Sequence, residues 1–154
     1  MTLSQFTEPS LLIPRLFSES HDQAIAELGD RLEGARRIEN ARAFTHAVLN
    51  HDSLVTAVFD EAAFPLARGS MVKELSFAIG LSQPGIVWGS GNKPTVHVIV
   101  LFAVPLSAEA TYLSLLMTFS NFLKNKTVFS KLRQCAQPEE MFNLLSQVHC
   151  ERPS

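Results

Sequence analysis

Apolar residues recur at two periods along these 154 residues, and the switches between them set out an alternation of helices and strands. Leu11, Leu12 and Ile13 form a short apolar segment. Ser20, followed three positions later by Gln23, has the form of a capping box. Behind it Ala24, Ile25, Leu28 and Leu32 share one face of a helix from about His21 to Glu33, closed by Gly34. Asn40 caps a second helix with Ala43, Phe44, Ala47 and Val48 on one side. Between Val72 and Leu81 the period falls to two. Leu75, Phe77, Ile79 and Leu81 alternate with Glu74, Ser76, Ala78 and Gly80, which predicts a strand covered on one face. Gln83-Pro84-Gly85 and Gly89-Ser90-Gly91-Asn92 supply turn chemistry around Ile86-Val87-Trp88, read as a hairpin-like excursion. From Val96 to Val104 the chain is nearly all β-branched or apolar, as in a strand covered on both faces.

The last third reads as helix. Ser107 is placed to cap a long helix with Glu109 in its first turn, where the helix dipole favours an anion. Tyr112, Leu113, Leu115, Leu116, Phe119, Phe122 and Leu123 surround most of that helix and predict that it is largely buried. Asn125 or Thr127 starts a short helix containing Val128, Leu132 and Cys135. Pro138, with Glu139 and Glu140, opens a final one with Met141, Leu144, Leu145 and Val148 inward. The fold class is therefore α/β, and residues 1–154 read as one domain.

Composition narrows the function. An apolar content of 46% supplies a core for one domain of this length. The net charge of -2 gives no nucleic-acid field, and Arg36, Arg37 and Arg42, interleaved with Glu33 and Glu39, read as solvated helix surface. Cys135 and Cys150 lack the spacing of a disulfide framework or zinc site, so reduced thiols and no metal or cofactor are expected. The longest apolar run, Val98 to Leu106, is interrupted by Pro105 and falls far short of the ~20 residues a bilayer requires. A cytoplasmic protein without membrane insertion is the expectation.

Candidate chemistry centres on Ala62-Ala63-Phe64-Pro65-Leu66-Ala67-Arg68-Gly69, an apolar run stopped by proline and followed by a lone cation, as where a strand hands its end to a site. With Gln83-Pro84 to Trp88, Leu101-Phe102-Ala103-Val104-Pro105, and Lys126-Thr127 to Pro138-Glu139-Glu140, this octet resembles the IIA proteins of the fructose/mannitol class of the bacterial phosphotransferase system, including their nitrogen-regulatory branch. The resemblance runs from about Leu11 to Val148. It implies a mixed sheet covered by helices on both faces. It also implies a carrier that takes a phosphoryl group from an HPr-like protein and passes it to a IIB partner.

In that family the residue after the proline is the phosphoacceptor histidine; here it is Leu66. The resemblance further sets Asn50 where the family has an arginine and Tyr112 where it has a second histidine. Thr56 is kept from a glycine-rich loop whose other positions here are Leu54, Ala57, Phe59 and Glu61, which implies a different loop conformation. Nucleophile, cationic clamp and supporting imidazole are all replaced, so no catalytic residue is assigned. The degenerate site comprises Asn50, Thr56, Phe59, Leu66, Arg68 and Tyr112, with Phe59, Leu66 and Tyr112 expected to close as an apolar plug.

Arg68 reads as a solvated or weakly paired surface cation, with anion binding as the alternative. His46 reads as a surface or half-buried residue and His97 as a hydrogen-bonded histidine near the sheet, on the opposite alternation phase to Val96 and Val98. Asp60 and Glu61 read as a solvated loop face. Two functions follow: an interaction protein that binds HPr-like, sensor or transporter proteins without phosphoryl transfer, or an active carrier using His51 or His97. Nothing in the residues sets the oligomeric state.

Overall fold

The computed structural model describes residues 1–54, 58–88 and 94–153, with backbone alone at 53 and 54. Strand β6 (Thr95–Val104) is the middle of the architecture. It pairs antiparallel with β5 (Ser76–Val87) on one side and parallel with β3 (Ala62–Ala63) and β4 (Leu66–Arg68) on the other. β1 (Leu12–Ile13) adds to β5 in parallel, and β2 (Val58–Phe59) closes the other edge antiparallel to β3. The sheet is thus mixed, as the family resemblance implies.

Helices α1 (His21–Gly34) and α2 (Ala41–Leu54) cover one face; α3 (Glu109–Lys124), α4 (Lys126–Arg133) and α5 (Pro138–Ser146) belong with the other. The alternation of β6 sorts its side chains between them. Ile99, Leu101 and Ala103 pack with Ile25, Leu28 and Phe44, whereas Val98, Val100, Phe102 and Val104 pack with Leu115, Phe119 and Leu145. A strand buried on both faces needs no polar phase, which is why it reads as an unbroken apolar run.

Cap chemistry explains several boundaries. Ser20 Oγ accepts the Gln23 amide at 3.4 Å, and Asn40 Oδ1 accepts that of Ala43 at 3.1 Å. Asn125 caps α4 by accepting the amides of Thr127 and Val128. α3 departs from expectation: its N-cap is Ala108, with no side-chain hydrogen bond, and Ser107 lies outside the helix. Only Tyr112, Leu115 and Phe119 are buried in it, while Leu113 and Met117 are 48% and 68% exposed. The helix lies on the sheet by one face and is not enclosed. Cys135 falls past the end of α4.

β5 departs further. It begins at Ser76; Val72 instead forms an isolated bridge to Ile38. Ser76 to Ser82 are buried on both phases, so the strand is not half covered: Ala78 faces the α1/α2 core, and Gly80 leaves room for Leu16. Ile86 and Val87 are no separate excursion but the continuation of β5 after a bulge, where Leu81 pairs with Val98 and Ile86 with Val96. Gly85 makes that bulge with φ +86°, and a Cβ there would sit 2.9 Å from His97 Nε2 and collide with the Thr95 methyl. Opposite the bulge the alternation of β6 slips, so Val96 and Val98 face different cores. The turn expected at 89–92 lies outside the described residues.

The basic cluster also resolves differently. Arg36 and Arg37 lie beyond α1, and Arg36 adopts φ 61°. Arg37 is not solvated: 13% of its side chain is exposed, it donates to Ser76 Oγ at 3.0 Å, and it pairs with Glu74 at 3.2 Å and Glu8 at 3.7 Å.

Candidate functional site

Pro65 interrupts a strand without ending it. β3 stops at Ala63, Phe64 and Pro65 intervene, and β4 resumes at Leu66 because Pro65, which has no N–H to donate, still accepts the Phe102 amide at 2.9 Å. Leu66 therefore pairs with Phe102, and Arg68 with Val104 where β6 ends. The chain then turns through Pro105 into α3, whose first turn carries Glu109 and Tyr112. Parallel strand ends and a helix start meet here, the place where α/β sheets put their sites.

The centre of this meeting point is apolar. Leu66 and Tyr112 are 7% and 4% exposed and share one core with Phe102, whose ring lies 5.2 Å from that of Tyr112 in an edge arrangement. Burial raises the Tyr112 hydroxyl pKa above its ordinary value, with nearby Arg68 pulling the other way and Glu109 adding to the rise. The hydroxyl stays protonated at neutral pH. Phe59 does not join: it is 51% exposed, and its ring meets Phe64 at 5.8 Å. Two of the three expected plug residues are buried in one apolar core, and the third is exposed because β2 is an edge strand of the sheet.

Arg68 is a paired surface cation, one of the two forms expected of it from the sequence, since its Nε lies 2.9 Å from Glu109 Oε2. Both side chains are nearly half exposed, so the pair is a surface ion pair across the site entrance. Asn50 is on the exposed side of α2, with its amide nitrogen 3.5 Å from His46 Nδ1. Thr56, with residues 55–57, lies outside the described residues, and so does the middle of the loop in which a changed conformation is expected. The described part ends in a β2–β3 hairpin with Asp60 at φ 54°, a left-handed turn residue that aspartate tolerates.

The other histidines lie apart from this centre. His51 is exposed in the last turn of α2. His97 Nδ1 is 2.8 Å from Glu61 Oε1, off the line of a hydrogen bond, and Arg133 Nη1 is 3.9 Å from the same oxygen. Glu61 is thus on an exposed loop face, as expected from the sequence, and also pairs with these neighbours. Sequence reasoning missed His21 and Asp52, whose side chains meet at 2.6 Å across 31 positions with no local pattern to announce them. A groove of about 770 Å³ runs between the outer side of α3 and the C-terminal tail, lined by Leu113, Met117, Phe122 and Arg152 among others, and touches none of Leu66, Arg68 or Tyr112. Among the described residues no group of His, Cys, Asp and Glu forms a metal cage, and no helix is long and apolar enough to cross a membrane.

Known proteins share this arrangement of elements. Nitrogen regulatory protein IIA-Ntr from Neisseria meningitidis superposes with a TM-score of 0.83 over 92% of this chain and 97% of its own, at 17% identity. IIA mannitol from Escherichia coli does so with 0.77 over 90% and 97%, at 15% identity. A structure of the Escherichia coli mannitol IIA enzyme in complex with phosphorylated mannitol IIB matches with 0.76 over 88% and 94%, at 15% identity. In sequence, the PTS system fructose-specific EIIABC component of Bacillus subtilis (strain 168) is 23% identical over 131 residues, 84% of this chain but 21% of that protein, so the chain spans about a fifth of its length. The family described as phosphoenolpyruvate-dependent sugar phosphotransferase system, EIIA 2, matches residues 5–148, nearly the whole chain, and the chain belongs to that family.

Proposed function

We propose that this chain is a IIA-type interaction module of the cytoplasm that binds partner proteins without carrying a phosphoryl group. The observation that carries the reading is Leu66, buried in one core with Phe102 and Tyr112 just after Pro65, where the family resemblance sets the phosphoacceptor. Phosphoryl acceptance on histidine needs an imidazole lone pair aimed at phosphorus and cations free to hold the phosphoryl oxygens. Leu66 offers no lone pair, Tyr112 replaces a supporting imidazole, and Arg68 is engaged by Glu109. Apolar closure and ion pairing together support binding without transfer.

The partners proposed are HPr-like or IIB-like proteins, or a sensor or transporter that meets the same surface. The mannitol relative forms a complex with a IIB protein, which is the precedent for such a surface. An active carrier using His97 is the competing reading, favoured by the carboxylate beside its ring, and His51 is the other candidate.

The test is an NMR titration of the labelled protein with unphosphorylated and phosphorylated HPr-like and IIB-like proteins from its own cell. Shifts that cluster around Phe59, Arg68 and Glu109 with either form, and no change in the partner's phosphorylation, are expected. Loss of phosphate from the partner with new signals at His97 or His51 would overturn the proposal.

A further inference from the structure

His21 opens α1 with both ring nitrogens engaged. Nδ1 lies 2.7 Å from Asp22 Oδ1 and Nε2 lies 2.6 Å from Asp52 Oδ2. A neutral imidazole has one N–H, and an ionised carboxylate only accepts, so both contacts are hydrogen bonds only when the ring is imidazolium. The two partners differ. Asp22 is 74% exposed and can turn into water, whereas Asp52 has 5% of its side chain exposed and belongs to the last turns of α2. The ring also meets the fully buried Trp88, centroids 4.3 Å apart at 68°, a contact with an aromatic that is stronger for a charged ring.

We propose that His21 is a pH-responsive latch, in which its imidazolium, gripped by Asp22 and the buried Asp52, pins the end of α2 to the start of α1 and to Trp88, and loss of the proton loosens that end. Among the described residues the charges facing the ring are Asp22 from α1 and Asp52 from α2, while the end of β5 brings the uncharged Trp88 indole. The hydrogen bond to Asp52 is the largest influence and raises the His21 pKa above the ordinary histidine value; burial opposes it, and Asp22 adds to the rise. A raised pKa fixes the direction. The latch is fully present below the ordinary histidine pKa and is lost as pH climbs through the higher folded value. Above it the ring keeps one N–H, the second contact becomes lone pair against carboxylate, and buried Asp52 loses the cation beside it.

The same end of α2 carries Asn50, which the family resemblance counts with the degenerate site, and precedes β2 in the chain. The latch stands on the His21 geometry alone and is independent of whether the chain carries phosphate.

The wild-type protein supplies the first test, with no variant needed. Long-range proton–nitrogen NMR across pH should show both His21 ring nitrogens protonated at pH values where a free histidine is neutral. Amide-exchange protection at Asn50, His51 and Asp52, corrected for intrinsic rate, should fall severalfold as His21 titrates, while amides of β6 hold. Asp52→Asn should return the His21 midpoint to the ordinary range or below. A His21 midpoint at or below that of free histidine, or protection in α2 that does not follow the midpoint, would overturn the proposal.

Discussion

At its C-terminal end β6 sets Phe102 beside Leu66 and Tyr112 in a dry apolar cluster, whereas near its N-terminal end it sets His97 against Glu61 and Arg133. The same strand thus ends in two chemistries. At the first end the titratable group is a buried phenol, and the nearby cation and carboxylate pair over it at the surface. At the second, an imidazole 18% exposed keeps a carboxylate and a guanidinium within reach of solvent. The contrast is one of burial: at the first end apolar side chains take the interior, and the charges nearby pair with one another at the surface. Each end has an ion pair, but only the N-terminal end carries an imidazole.

Substitutions at the two ends sharpen the comparison. Leu66→Asn places an amide in the apolar cluster in place of a packed side chain, and is expected to cost about 2 to 4 kcal/mol in denaturant melts. His97→Leu at the other end replaces a ring 18% exposed with an apolar side chain and should change stability by less than about 1 kcal/mol. Equal losses at the two positions would erase the distinction between a closed end and an open one. A smaller effect is expected from Arg68→Ala, Glu109→Ala and the double variant. Their coupling in a double-mutant cycle should stay below about 1 kcal/mol and shrink with added salt, as for a pair this exposed. Strong coupling insensitive to salt would mean that the pair seals the site, not merely crosses its entrance.

Most of this fold is legible because the signals are local. Ser20 and Asn40 cap the helices their spacing announces, and the unbroken apolar run of β6 marks a strand covered on both faces. Signals that depend on a distant partner are not legible. The outer side of α3 is as apolar in sequence as its inner side, so Leu113 looks like core until the helix is seen to bury Tyr112, Leu115 and Phe119. Pro65 reads as a strand end, yet pairing with β6 carries β4 past it. Gly85 reads as a turn, yet it makes a bulge because β5 continues along the same neighbour. At the site, the closure of Leu66 by Tyr112 and Phe102 is foreseeable from residue types, but the ion pair joining Arg68 to Glu109 spans 41 positions and the His21–Asp52 contact 31. No periodicity carries charge pairing over such distances.

The central claim is that the closed end of β6 accepts no phosphoryl group and that no other residue takes over. Incubation with enzyme I, HPr and radiolabelled phosphoenolpyruvate, followed by analysis in alkali to preserve phosphohistidine, tests it most directly. The account predicts no label above that of a control lacking enzyme I. Stoichiometric label on the wild type, abolished by His97→Ala or His51→Ala, would contradict it and make the open end of β6 or the last turn of α2 a working carrier site.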